Sequence, residues 1–307
     1  MSVFWQSSEV PLFDECILSW NGRRPSQGNW LFSVSLHQDG SWSPWLPYAE
    51  WGPSHQRTFC SKSDTVKAYQ DAIHPMTGFC DGFQVKVEGA DLTGLVSLCA
   101  SLSQLQQCHI VSPLQSLPPI LLTTTPGKSQ IALQHPLSER ICSPTSLVNA
   151  IRLISDKAID PIALAGKVYD SGFDLYGNWI LNVAESFYEL GEKYSCWVER
   201  LRSFEALHAH LMRGFPVIVS VRGPLAGAPR PYSAGHLLCV VGYERNRVLC
   251  IDSGFPTDQE TLCSYSLADF IQAWNRRQNI AYIFGGPIGG GLMGAGATHP
   301  LWWRISK

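Results

Sequence analysis

The stretch Gly235–Asp252, GHLLCVVGYERNRVLCID, decides how this sequence reads. Two apolar, β-rich runs, His236–Gly242 and Arg247–Asp252, flank Glu244-Arg245-Asn246. That is the pattern of a β-hairpin. His236 opens the first run and Asp252 closes the second, so antiparallel pairing sets them at one edge of the sheet. There the carboxylate can hold the imidazole ring and stabilise its charged form. Upstream, Ser143–Ser155 (SPTSLVNAIRLIS) places Leu147, Ile151 and Ile154 at helical spacing, and Pro144 suits a first turn. Cys142 stands at that helix start, where unpaired N–H groups and the dipole favour a thiolate. Gln130 or Gln134, ahead of the cysteine, could donate to an oxyanion beside the Cys142 N–H. Taken singly, each residue has a plainer reading: Cys142 as a small buried side chain, His236 as a core-edge histidine bonded to backbone. It is their order and context together that point to nucleophilic catalysis.

Outward from these elements the pattern is mixed α/β. Asn178–Leu190 and Ser203–Arg213 read as helices stopped by Gly191 and Gly214, and Pro216–Val221 as a strand. Ser266–Asn275 reads as a helix with a Ser cap, and Ile280–Phe284 as a last strand. Residues 1–112 read as all-β, with strands at Trp30–Leu36 and Gly82–Glu88 between Gly, Pro, Asn and Asp clusters. Trp42, Trp45 and Trp51 read as the core or rim of that β-sandwich in preference to a sugar-stacking platform. Residues 113–128 (PLQSLPPILLTTTPGK) hold four prolines and read as an extended connector.

Composition narrows the function classes. Of 307 residues, 45% are hydrophobic and only 16% charged, which excludes disorder for most of the chain. The net charge of −2 and the lack of a Lys/Arg run argue against a nucleic-acid partner. No apolar stretch is long enough for a membrane span. Asp14 and Glu15 fall where the apolar core of a signal peptide belongs, so a cytoplasmic location is expected, non-classical export aside. None of the ten cysteines has C-x-x-C spacing, and several lie in strand-like runs, as buried thiols do in a reducing compartment. His208 and His210 lie two apart on a helix and make a poor metal pair. Gly289–Gly294 fits G-x-G-x-x-G but leaves too little sequence for the helix and strand of a dinucleotide site. Trp302-Trp303 reads most simply as a strand or tail docked on the body.

The run Cys142-Ser143-Pro144-Thr145-Ser146 resembles the signature of the C39-like cysteine peptidases. Gly235–Tyr243 resembles that family's histidine strand, Val248–Asp252 the strand ending in the triad acid, and Ser129-Gln130 the pair ahead of the cysteine, which favours Gln130 over Gln134. Val168-Tyr169-Asp170, Gly177-Asn178-Trp179 and Gly227-Ala228-Pro229 resemble segments of one bacterial subgroup. Ser19-Trp20-Asn21, Gly28-Asn29-Trp30 and Gly40-Ser41-Trp42-Ser43 resemble that subgroup's N-terminal β-domain. Many relatives follow the acid with Pro; here Ser253-Gly254 follows Asp252.

The resemblance implies an α+β fold. A papain-like domain (129–307), its Cys-bearing helix packed on an antiparallel sheet carrying His and Asp, follows a β-sandwich-like domain (1–112) and a connector (113–128). It implies Cys142 as nucleophile, His236 as base, Asp252 as orienting acid and Gln130 as oxyanion donor, acting on a peptide or amide bond with no metal or cofactor. The 217–229 segment and the Asn178-Trp179 turn are candidate substrate contacts, and the expected partner is a peptide or protein substrate. A catalytically silent binding protein, or a thiol acyltransferase or deamidase, is the alternative; oligomeric state is not legible.

Overall fold

The computed structural model describes residues 1–287 and 300–304, so the Gly289–Gly294 motif lies outside the described residues. Three antiparallel sheets and five α-helices make up the described residues. The first sheet runs in the order Ser2–Phe13, Cys80–Glu88, Trp30–Gln38, Leu46–Trp51, Gln56–Thr58, with Ser41–Trp42 added beside Trp30–Gln38. The second runs Leu301–Arg304, Leu95–Ser103, Glu15–Gly22, Ala72–Pro75, Val66–Tyr69, Cys60–Lys62. Aromatic residues meet between them: Trp20 stacks on Phe32 at 4.1 Å and meets Trp51 edge-on at 5.8 Å. Trp20, Trp30 and Trp51 are fully buried, and losing any one of them would cost about 3–5 kcal/mol. Trp51 therefore belongs to the core, while Trp45 is partly exposed and edge-on to Phe4.

The third sheet runs Tyr194–Arg200, Ile280–Pro287, Val217–Gly223, Tyr232–Glu244, Arg247–Ile251, Leu262–Ser266. Its helices are α1 (Cys142–Ser155), α2 (Pro161–Val168), α3 (Trp179–Glu189), α4 (Phe204–Met212) and α5 (Leu267–Asn275). Strand Tyr232–Glu244 sends alternate side chains to two cores, as a period of two requires. Leu237, Cys239 and Val241 pack with Leu147 and Ile151 of α1. Leu238 and Val240 pack with Phe204 of α4 and Phe270 and Trp274 of α5. The hairpin turns at Arg245-Asn246, both at positive φ (49° and 60°), with Glu244 opposite Arg247. Such a two-residue turn fixes register. A bulge between Val240 and Gly242 then adjusts it.

The helix expectations hold with shifted ends, because Asn178, Ser203 and Ser266 are N-caps of α3, α4 and α5. Helix α2 was not anticipated, although Asp160 caps it and Pro161 opens it, a start signal plain in the sequence. In the 113–128 segment Ile120–Leu121 adds a short strand beside Gly242-Tyr243. A Cβ on Gly242 would come within 2.6 Å of the Ile120 carbonyl oxygen, so glycine is what lets that strand in. Leu301–Arg304, placed by sequence with residues 129–307, instead pairs with Leu95–Ser103 of the second sheet. Trp303 there stacks over Trp5 at 6.4 Å. No helix among the described residues is long and apolar enough to cross a membrane.

Candidate active site

Helix α1 begins at Cys142, and the preceding residue, Ile141, offers no capping side chain to the first-turn N–H groups, which have no intrahelical acceptor. The helix is pinned from both sides. Ser143 Oγ and the Tyr282 hydroxyl lie 2.8 Å apart, and Ser146 Oγ donates to the Leu237 carbonyl at 2.8 Å. The second contact ties the cysteine helix to the residue after His236. Cys142 is partly exposed, whereas His236 and Asp252 are buried.

His236 Nε2 lies 2.8 Å from Asp252 Oδ1, which leaves Nδ1 for the Cys142 thiol with which the ring hydrogen-bonds. Asp252 Oδ1 also accepts the Gly254 N–H at 2.9 Å, while Oδ2 accepts the hydroxyls of Tyr232 at 2.7 Å and Tyr265 at 2.6 Å. Four donors thus hold the carboxylate, which leaves it little freedom to rotate away from His236. The Tyr232 ring stacks on the His236 ring at 4.1 Å and 16°. A Cβ at Gly254 would sit 2.8 Å from the Tyr232 hydroxyl oxygen, so the close approach needs glycine there.

Charge follows this geometry. Burial opposes the imidazolium, but the Asp252 charge and hydrogen bond, with the Cys142 thiolate, raise His236 to about 10. Burial likewise opposes the Asp252 carboxylate, and His236 with the two tyrosines overrides it, giving about 2. Burial pushes the Cys142 thiol up. The hydrogen bond and charge of His236, with the N–H groups of Leu237 and Ser143, overcome this and hold it below the ordinary thiol value. Cys239, three residues from His236, meets burial without such partners and goes far up, as does Cys250. The arrangement therefore favours a thiolate–imidazolium pair at Cys142 and nowhere else among the thiols that burial perturbs.

Gln130 is buried against Ser253, the residue after Asp252. Its Nε2 donates to the Ser138 carbonyl at 2.7 Å, and its Oε1 accepts the Ser253 hydroxyl at 2.8 Å. One Nε2 hydrogen remains unspent. Gln134 sits exposed on a turn at φ 48°. Ser253, where many relatives of the resembling family carry Pro, thus links the acid's loop to Gln130, a bond proline cannot make. Its carbonyl also accepts the Gln130 N–H at 2.9 Å.

The Asn178 expectation needs correction. Asn178 is fully buried; its Oδ1 caps α3 at Leu181 N–H, and its Nδ2 donates to Asp170 Oδ2 at 2.9 Å. Nothing of it is left for a substrate. Asp170 in turn accepts the Thr58 N–H, and Asn21 bonds the Cys196 backbone in both directions. Segments 168–170, 177–179 and 19–21 therefore carry residues that join the N-terminal sheets to the C-terminal part of the chain. Residues 217–221 are buried strand, so that part of the 217–229 segment is structural too. Trp179 differs. Its N–H donates to Asp71, but its indole lines a cleft of about 640 Å³ that Ala234 and Gly177 also border.

Tyr232, Tyr265 and Ser253 were missed from sequence. Tyr232 carried a signal, since residues four apart on a strand share a face.

No curated protein sequence matches the chain. A crystal structure from Bacillus anthracis, of a protein assigned as a C39-like peptidase, aligns with 17% identity over 54% of this chain and 98% of that one. The TM-score of that alignment is 0.41. The model of the Peptidase_C39 like family matches residues 123–282, more than half the chain and a span that holds Gln130, Cys142, His236 and Asp252. By that match the chain belongs to the Peptidase_C39 like family.

Proposed function

We propose that the protein is a cysteine hydrolase that cleaves a peptide or amide bond through Cys142, His236 and Asp252 in a papain-like arrangement. The catalytic unit would follow a β-sandwich-like domain (1–112) and a connector (113–128). The observation that carries the reading is that burial raises Cys239 and Cys250 while Cys142, hydrogen-bonded to His236, is lowered.

The Cys142 thiolate attacks the acyl carbon and the carbonyl becomes an oxyanion. The unspent Gln130 N–H and the Cys142 backbone N–H receive that charge. His236 gives its Nδ1 proton to the leaving nitrogen, the C–N bond breaks, and the acyl group stays on sulfur as a thioester. Water then gives a proton to His236 and attacks the thioester, releasing the acid and restoring the thiolate. Asp252 holds the ring throughout and keeps the imidazolium favourable. Trp179 is the candidate substrate contact.

The test is cleavage of a proteome-derived peptide library, read by mass spectrometry. Cleavage by the wild-type protein that vanishes in Cys142→Ala is the expected result. Identical cleavage by both, or none by either, would overturn the reading.

A further inference from the structure

The cleft beside Trp179 is walled by both halves of the chain. Asp71, His74 and Glu15 come from the second-sheet region, while Arg140, Arg200 and Arg277 come from the C-terminal part. Most of its charges are paired. Arg200 binds Glu15, with Nη2 to Oε2 at 2.8 Å, and Arg140 binds Asp174 at 3.0 Å. Asp71 is buried and accepts the Trp179 N–H at 2.6 Å; burial pushes it up to about 8, against the pull of that bond and of the Arg277 charge. Arg277 remains. Its Nε donates to Ser220 Oγ at 3.2 Å, and no carboxylate among the described residues pairs with it. Both of its Nη groups are unspent.

Arg277 is placed for substrate. Its guanidinium lies over the Trp179 ring at 5.8 Å, on the indole that Arg200 also faces at 5.6 Å. A Cβ built on Gly235, the residue before His236, would lie 3.9 Å from Arg277 Nε. A Cβ on Gly177, across the cleft, would lie 3.9 Å from the Cβ of Ser143, the residue after Cys142. Two residues lining the cleft, Arg277 and Gly177, therefore lie next to the neighbours of base and nucleophile. Burial and then the like charges of Arg200 and Arg222 disfavour the Arg277 charge, and Asp71, which makes no ion pair with it, offsets this only in part. An arriving carboxylate would relieve that strain and accept two parallel N–H bonds from the guanidinium.

We infer that this cleft reads a carboxylate-bearing residue of the substrate close to the scissile bond, with Arg277 as the specificity-determining side chain and Trp179 as its floor. The inference deepens the hydrolase reading and rests on it. The substrate class is acidic peptides.

The test uses bromoacetyl-Glu amide and bromoacetyl-Ala-Glu amide, with Gln and Lys counterparts. The Cys142 sulfur displaces bromide and forms a thioether, so labelling can be followed without turnover. Each rate is divided by the rate with iodoacetamide in the same variant, which corrects for any change in the thiolate. The Glu probe of at least one length is expected to label about tenfold faster than its Gln counterpart, and the Lys probe slowest. Arg277→Gln should erase that preference and Arg277→Lys restore part of it. Rapid labelling with no Glu preference, or a preference that survives Arg277→Gln, overturns the acidic-substrate inference and leaves the hydrolase standing. A Cys142 inert to every probe and to iodoacetamide overturns the hydrolase reading, and this inference with it.

Discussion

Asp252 and Asp71 are both buried, and they respond in opposite directions. Asp252, at the end of the hairpin, accepts His236, two tyrosine hydroxyls and a backbone N–H, and is held down at about 2. Asp71, in the turn before strand Ala72–Pro75, accepts N–H groups at the start of α3, feels the Arg277 charge without an ion pair to it, and faces another carboxylate, Asp170. Burial wins there and pushes it up to about 8. Burial alone therefore does not decide the charge state; a directly bonded cation and the number of donors do. The chain concentrates its compensation on the acid beside His236 and Cys142, and leaves the acid at the junction with a weaker set.

The largest effect expected is on turnover. Asp252→Asn leaves His236 without its counter-charge, and kcat/KM should fall about 10²–10⁴-fold while the circular dichroism spectrum is kept. A variant with near-normal turnover would remove Asp252 from the mechanism. Next comes another compensated buried charge, the Glu15–Arg200 pair that joins the second sheet to the third. Arg200→Met strands Glu15 and should cost about 3–5 kcal/mol in urea denaturation, far more than a surface pair would.

Smaller effects sharpen the contrast between the two acids. Tyr265→Phe removes one donor from Asp252 and should cost about 1–2 kcal/mol. The sign with pH is fixed. Asp252 has a depressed folded value, so its stabilisation is present above the ordinary carboxylate range and lost as pH falls toward about 2. With the tyrosine gone, that loss should begin at higher pH, as acid titrations of unfolding would reveal. Asp71 has the opposite sign. Its folded value is raised, so stability is lost as pH climbs from about 4 toward about 8. Asp71→Asn should therefore raise Tm at pH 8 by about 2–4 °C, and by less at pH 4. An equal gain at both would mean that Asp71 is charged throughout.

The Cys142–His236–Asp252 cluster was legible because its signals are local. A cysteine at a helix start and an amphipathic period placed α1. A hairpin turn with Arg245-Asn246 fixed which strand ends meet, and so put His236 beside Asp252. What escaped rests on contacts between distant parts of the chain. Glu15 and Arg200 lie far apart in sequence, and nothing near either announces the partner. Leu301–Arg304 returns to the second sheet because an edge there was open for pairing, a fact invisible from its own residues. Asn178 was misread for another reason. An asparagine before a helix is a cap signal in its own right, and that local role accounts for it fully.

The central claim is a thiolate at Cys142 held by His236, and labelling with limiting iodoacetamide at about pH 5.5 tests it most directly. An ordinary thiol, with a pKa of about 8.5, is nearly inert at that pH. Peptide mapping of the ten cysteines should find Cys142 alkylated fast and alone in the wild-type protein, and the labelling lost in His236→Ala. Labelling spread over other cysteines, or a Cys142 rate indifferent to His236, would contradict it.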